Sequence, residues 1–388
     1  MKNLISILGL SFLLIFLTFN QIFSIPAFAR KYNMSCQTCH SPFPKLKDYG
    51  DEFANNGFVL ADKDAPRYYI ETGDQELSLI RDIPLAFRLE GYATFKHKEK
   101  ENKSDFNAPW LLKVLSGGAL TKNLAYYFYF YLDEQGGITG IEDAYLMFNN
   151  LFGSEFDLYI GQFQISDPLF KRELRLTLED YKIYKTKVGE SNINLSYDRG
   201  IMLFLPLKSG TDLSFEILNG SGIGLADNEK NYDKDIYKNL FGKISQQIID
   251  EFRLGVFGFY GKEKISNDVI NKVNMFGADF TLNLGNYLEM NFQGILRSDS
   301  KPFDTSLTDF KTKGLFTELI YTPRGDESKW YLAGLFNLIE SDLNKVDYKS
   351  FAIHGGYLLR RNVRLVTELL YNFKEKTSKF TLGFVTAF

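Results

Sequence analysis

The sequence is poor in the residues from which most catalytic and metal centres are built. Its 388 residues include only two cysteines and three histidines. No Ser-His-Asp arrangement, no Gly-rich phosphate loop and no Asp/Glu/His cluster with metal-site spacing can be picked out. Beyond the N-terminus no apolar run approaches ~18 residues, the length a membrane-spanning helix needs, and the mean hydropathy of −0.19 is that of a soluble protein. A formal net charge of −3, with both signs mixed along the chain, argues against a nucleic-acid binder, which wants a basic face.

What the sequence has in abundance is aromatic residues and glycine: 36 Phe, 23 Tyr and 31 Gly. An aromatic-rich, charged chain without helical spans fits a transmembrane β-barrel, where lipid-facing and water-facing residues alternate and average out. The first residues read as an export signal. Lys2 supplies a positive start, and Ile5 to Leu17 form an apolar stretch too short for a comfortable anchor helix. Cleavage is expected after Ser24, or after the small-x-small tripeptide Ala27-Phe28-Ala29. The expected divisions are a signal peptide over 1–24 (29 at the latest), a short module over 25–70, a linker over 71–82 and a barrel over 83–388.

Cys36-Gln37-Thr38-Cys39-His40 has the C-x-x-C-H spacing of covalent haem attachment. Two intervening residues let both thiols reach neighbouring haem vinyl groups, and the adjacent imidazole then lies against the iron. A thioredoxin-like redox pair would need a βαβ frame. A zinc site would need a fourth ligand, with only His97 and His354 left as histidines. A bare disulfide, the usual fate of two cysteines outside the cell, gives no role to His40. One covalent haem c, held by Cys36, Cys39 and His40, is the expected cofactor. After it, Pro42 and Pro44 break regular structure, and Leu46, Phe53, Phe58 and Leu60 form an amphipathic run. Gly50 and Gly57 allow close backbone approach. About 35 residues are too few for a self-contained core, so other walls must come from the barrel. No Met or His lies between His40 and Ile83, so the module brings no obvious distal iron ligand.

Pro26-Ala27-Phe28-Ala29-Arg30, Cys36 to His40, Pro44, Leu46, Gly50, Phe53 and Gly57-Phe58 resemble the N-terminal module of the outer-membrane cytochrome–porin fusions, which include iron-oxidising outer-membrane c-type cytochromes. The likeness covers roughly residues 25–62 by motif and the remainder by architecture. Tyr32-Asn33 stands where that family often has Thr-Gly, and Phe58 where it often has Tyr; neither touches haem attachment, but both loosen the tie to the iron-oxidising branch. The resemblance implies a one-electron redox protein, a possible Fe(II) oxidase, in a bacterial outer membrane. Electrons would pass from extracellular Fe(II) or another one-electron donor to a periplasmic c-type cytochrome.

From Ile83 onward the chain divides into segments of about ten residues with period-two alternation, the length of a tilted membrane strand. Sixteen strands are expected, near 83–96, 110–121, 124–133, 138–149, 155–164, 199–207, 212–219, 237–246, 251–261, 272–284, 287–297, 313–322, 329–339, 349–360, 363–373 and 378–388. The fold expected is therefore all-β, a 16-stranded antiparallel transmembrane β-barrel with the monohaem module inside the lumen. Tight connections such as Thr121-Lys122-Asn123 and Arg361-Asn362 alternate with longer polar loops over 97–109, 220–236, 299–312 and 340–348. The longest, 165–198, is a candidate for folding inward as a constriction. Phe380, Leu382, Phe384 and the final Phe388 share one parity, similar to the assembly signal of bacterial outer-membrane proteins. Gly161 to Pro168, Asp198-Arg199-Gly200 and Leu218-Asn219-Gly220 resemble phosphate-selective-type porins.

Parity puts Arg88, Glu90, Glu289, Arg297, Arg364 and Glu368 in the lumen, as any water-filled barrel would have. It also puts His354 there at mid-strand depth among small neighbours, which makes it the candidate distal iron ligand. Met275, also of lumen parity, and His97, at a loop edge, are alternatives. The function expected is electron transfer across the outer membrane through the single haem, with a solute porin whose haem module is a plug or redox sensor as the alternative.

Overall fold

The computed structural model describes residues 27–60, 69–70, 73–74, 76–77, 79–81, 83–99, 101–233, 235–266, 269–305 and 308–388. The expected signal peptide, residues 61–68 and parts of the linker lie outside the described residues.

Sixteen antiparallel strands close into one barrel. They are Leu85–Lys98 (β1), Glu101–Thr121 (β2), Leu124–Glu134 (β3), Gly140–Leu151 (β4), Phe156–Gln164 (β5), Tyr197–Leu207 (β6), Thr211–Leu218 (β7) and Asn239–Ile249 (β8). Phe252–Lys264 (β9), Ile270–Leu284 (β10), Leu288–Asp299 (β11), Phe310–Tyr321 (β12), Trp330–Ser341 (β13), Tyr348–Arg360 (β14), Val363–Asn372 (β15) and Thr377–Ala387 (β16) complete it. Each neighbour in sequence is a neighbour in space, and β16 pairs with β1 to close the ring. Closure removes every free edge, so all strand N–H and C=O groups can be paired without water. The last residue completes the seam: Phe388 and Phe87 exchange backbone hydrogen bonds of 2.7 and 2.9 Å, and their rings stack at 5.7 Å.

All sixteen expected strands are present, with ends displaced by a few residues except at β2. There the expected loop over 97–109 is instead strand: β1 runs to Lys98 and β2 starts at Glu101, so this hairpin extends well past the other strands. Its residues are mostly polar and exposed on both faces, and mutual pairing (Lys96 with Lys103, Phe95 with Ser104) satisfies their backbone without a core.

The alternation sorts the faces as expected. Along β14, Phe351, Ile353, Tyr357 and Leu359 are exposed on the outer wall, while Ser350, Ala352, His354 and Gly356 are buried toward the lumen. A closed barrel with an apolar exterior is a membrane structure rather than a soluble sandwich. The tightest connections, such as 122–123, 250–251 and 361–362, gather at one end, and the longest, 165–196, 219–238 and 300–309, at the other. In outer-membrane barrels short turns face the periplasm.

The segment 165–196 folds into the lumen and crosses it. Tyr181 Oη donates to Glu318 on β12 (2.9 Å), Tyr184 Oη to Gln293 on β11 (3.0 Å), and Asn337 of β13 donates to the Asp180 carbonyl (3.0 Å). Arg297 on β11 donates to the carbonyls of Thr186 (3.0 Å) and Ile193 (2.8 Å). Tyr181 also stacks on Phe316 with centroids 4.2 Å apart. Within the loop, Arg172 grips Asp180 through two hydrogen bonds of 3.1 and 2.8 Å. Burial acts to raise Asp180, but Arg175 and Arg172 outweigh it and hold this carboxyl well below its usual range.

Candidate functional site at the short-turn mouth

The N-terminal module consists of α1 (Ala27–Tyr32), a single 3-10 turn over Cys36–Thr38 and α2 (Asp48–Asn55). Its core is three aromatic rings. Phe28 stacks on Phe58 (5.0 Å) and meets Phe53 edge-on (5.3 Å), while Tyr32 Oη donates to the Phe58 carbonyl (2.6 Å). Asp48 and Asp51 in the first turn of α2 suit the positive end of its dipole.

The C-x-x-C-H segment forms one turn. Ser35 Oγ accepts from the Gln37 N–H (3.3 Å), and the Cys36 carbonyl accepts from the N–H groups of Cys39 (3.3 Å) and His40 (2.9 Å). Both thiols and the imidazole are thereby set on a single coil, and the cysteines are free. The prolines close a tight loop behind it, with Lys45 N–H on the Pro42 carbonyl (2.9 Å) and Ser41 N–H on the Lys45 carbonyl (3.0 Å). His40 Nδ1 lies 2.7 Å from the Pro44 carbonyl. A carbonyl can only accept, so Nδ1 carries the proton and Nε2 keeps its lone pair free. This is the second-shell arrangement that orients a metal-ligating imidazole. Burial lowers the His40 pKa and raises those of both thiols. A side chain at Gly50 would run into the Cys39 carbonyl, so glycine there lets α2 lie directly on the turn. Gly57 sits at φ +70° against the Asn149 amide, a second position where glycine is required. On geometry and donor set, the segment fits a covalently held haem with His40 as proximal ligand.

The module is seated in the short-turn mouth rather than at mid-lumen. Phe58 stacks on Tyr127 of β3 (5.6 Å), and Asn56 accepts from Asn149 (3.2 Å) and Asn150 (3.0 Å) of β4. On the other side Lys45 pairs with Glu289 of β11, and Lys47 with Asp326 in the β12–β13 turn. Arg364 of β15 donates to the Phe43 carbonyl (3.1 Å), and Lys171 of the constriction loop pairs with Asp51 (2.6 Å). These partners were not foreseeable: Lys45 and Lys47 look like ordinary solvent lysines until the register of residues over two hundred positions away is known.

The lumen is divided in two by the constriction loop. Along β1–β4, β15 and β16, from Arg364 near the module to Lys379 toward the long loops, lies a chamber of about 150 Å³. Among the described residues lining it are seven cationic side chains (Arg88, Lys113, Arg172, Arg175, Lys185, Arg364, Lys379) and four glutamates. On the short-turn side, beside the module, lies a vestibule of about 1130 Å³. Eleven carboxylates line it, among them Asp48, Asp51, Asp212, Asp250, Asp279 and Glu318, against five cationic side chains.

The sequence-derived distal candidates fall in different places. His354 is fully buried in the lumen wall; its Nδ1 lies 3.1 Å from Glu368 and its Nε2 3.3 Å from the Tyr331 hydroxyl. The room left by Gly356 is filled by the Tyr331 ring, which any side chain at 356 would strike. Tyr331 and Arg364 therefore stand between His354 and the module. Met275 is buried on β10, paired across to Arg297, whose guanidinium holds the constriction loop. His97 is exposed at the long-loop end and bonds Asn102 (2.7 Å), at the opposite end of the barrel from Cys36 to His40. Among the described residues no group of three or more His, Cys, Asp and Glu is placed to hold a metal ion.

Two stretches singled out for their porin-like pattern are neighbours in space: the Gly220 N–H donates to Asp198 (2.5 Å), and Arg199 reaches the carbonyls of Gly222 and Gly224 (both 3.1 Å). No protein-family model and no curated protein matches the sequence. Solved structures do match. An anion-selective porin from Comamonas acidovorans superposes with a TM-score of 0.58 at 11% identity, over 79% of this chain and 99% of that one. Salmonella typhi OmpF, solved with daunomycin, gives 0.55 at 10% identity, over 79% and 97%. Pseudomonas putida OprB gives 0.55 at 10% identity, over 79% and 94%. At such identities the likeness is one of fold. The class is thus a 16-stranded barrel of the outer-membrane porin type, consistent with the bacterial outer membrane.

Proposed function

We propose that the chain is a porin-type solute channel whose lumen is narrowed by the 165–196 loop and whose short-turn mouth is closed by the N-terminal module acting as a plug. The observation that carries this is the seating of the module, which bonds β3, β4, β11, β15 and the β12–β13 turn at once. Cys36 and Cys39 would hold one haem c as thioethers with His40 as axial ligand, which makes the plug a candidate redox sensor. Bound there, haem supplies one-electron chemistry tuned by its ligands and burial.

The single-turn geometry of Cys36 to His40, with Nδ1 fixed by Pro44, favours a second reading: electron transfer across the outer membrane. In that reading the site faces a periplasmic c-type cytochrome, and the donor is extracellular Fe(II) or another one-electron donor. His354 remains the proposed distal ligand, with Met275 and His97 as alternatives; ligation by His354 would need Tyr331 to give up its place. Conductance of the reconstituted protein, read beside its optical spectrum with and without Fe(II), separates the two. A low conductance that rises when the module is loosened, with no reduction of haem by Fe(II), supports the plug. A pore that stays closed with the module loosened, and whose haem is reduced by Fe(II) and reoxidised by a cytochrome, supports electron transfer and overturns the plug. An unchanged low-spin spectrum in His354→Ala would discard the distal assignment.

A further inference from the structure

The two devices that narrow the lumen, the plug and the constriction loop, are joined through the barrel wall by buried side chains. Arg364 Nη1 donates both to the Phe43 carbonyl of the module (3.1 Å) and to the Tyr331 hydroxyl (2.7 Å). Tyr331 Oη lies 3.3 Å from His354 Nε2, and His354 Nδ1 lies 3.1 Å from Glu368 Oε2. Glu368 in turn accepts the backbone N–H groups of Leu178 (2.6 Å) and Glu179 (3.0 Å), both in the constriction loop. Tyr331, His354, Arg364 and Glu368 are each at least 96% buried.

The donors run one way. The carboxylate can only accept, so His354 Nδ1 carries the proton and Nε2 is left as acceptor for the tyrosine proton. The tyrosine oxygen then accepts from Arg364. No member can reorient without leaving a buried partner unsatisfied, the costly outcome in a low-dielectric wall. The sheet fixes the spacing: His354 pairs in register with Glu368, Leu358 with Arg364, and Gly356 makes room for the Tyr331 ring.

We infer that this chain couples the seat of the plug to the set of the constriction loop, with Tyr331 as the positioning residue at its middle. The inference rests on the plug reading. Loss of the Phe43 contact frees Arg364, which lets Tyr331 and His354 shift and loosens the grip of Glu368 on the loop; the same path works in reverse.

The test uses the full chain in liposomes and planar bilayers, with folding checked by heat-modifiable migration. One readout sits at each end: hydrogen–deuterium exchange of the Leu178 and Glu179 amides for the loop, and trypsin cleavage after Lys45 and Lys47 for the module, while conductance reads the pore as a whole. Glu368→Gln touches the loop end, yet it should speed cleavage at the module by about 2- to 10-fold, the weight of one hydrogen bond. Arg364→Met touches the module end and should speed exchange at Leu178 and Glu179; Tyr331→Phe, which keeps the ring, should speed both cleavage and exchange. Effects confined to the mutated end, or a silent Tyr331→Phe, overturn the coupling. Phe58→Ala, which loosens the module directly, separates the two claims. If it speeds cleavage without raising conductance, the plug reading fails and takes the coupling with it. If it raises conductance while Tyr331→Phe moves neither cleavage nor exchange, only the coupling fails.

Discussion

The two chambers of the lumen share one barrel wall and differ in nearly everything else. The chamber along β1–β4, β15 and β16 is small and has an excess of cationic groups; the vestibule, lined by β4 to β12 and the module, is several times larger and strongly acidic. The division is made by chain that is not barrel. The constriction loop brings Arg172, Arg175 and Lys185 to the first chamber, and the module brings Asp48, Asp51 and Glu52 to the second. Fields of opposite sign line different sectors of one lumen, so neither sign of ion meets a uniformly favourable wall. Barrel strands thus set the bore, whereas inserted segments set what passes.

The largest effect should come from removing the boundary between the chambers. Arg172→Ala breaks a buried ion pair, and losing one partner of such a pair costs about 3–5 kcal/mol. The loop should detach and single-channel conductance rise several-fold; an unchanged conductance would mean that the Arg172–Asp180 pair does not hold the constriction.

Next comes the charge of the vestibule itself. Asp212→Asn with Asp250→Asn should move the reversal potential in a salt gradient toward anion preference. The shift should fade as salt rises past roughly 0.1 M, where the screening length falls to about 10 Å. A shift that persists at high salt would place the selectivity elsewhere.

A pH effect follows from Asp167, at the start of the constriction loop, whose pKa burial pushes up to about 6 despite Lys171. A raised carboxyl contributes stability in full below its unfolded value near 4 and loses it as pH rises through about 6. The loop should therefore tighten, and conductance fall, as pH drops from 7 to 4, with Asp167→Asn flattening the change. Asp180 stays ionised throughout that window, so the Arg172 grip is not disturbed. A wild-type response retained in Asp167→Asn would remove this residue from the explanation.

The smallest effect should come from the rim. Lys47 and Asp326 form a half-exposed pair, and such pairs are worth about 0.2–1 kcal/mol. Lys47→Ala should barely change trypsin cleavage at Lys45, and a large change would make the rim pair a main anchor of the plug.

The barrel was legible in the sequence because period-two alternation acts locally: Phe351, Ile353 and Tyr357 declare an outer face within seven residues, and His354 and Glu368 an inner one. That Cys36, Cys39 and His40 share one turn was legible too, since they lie within five residues of one another. The over-long β1–β2 hairpin was not, because a polar run exposed on both faces carries no period-two signal and reads as loop. Nor was the placement of the module at one mouth, which depends on Lys45–Glu289 and Arg364–Phe43, contacts between residues more than two hundred positions apart. Small residues beside His354 suggested room for a porphyrin; the cross-strand Tyr331 takes that room at Gly356, a neighbour visible only once register is known.

The most direct measurement is the planar-bilayer conductance of the full chain beside a chain lacking residues 27–60, both migrating as folded barrels. If the module closes the short-turn mouth, its removal raises conductance several-fold and leaves the constriction loop as the remaining barrier. Equal conductances would show that the mouth was never closed.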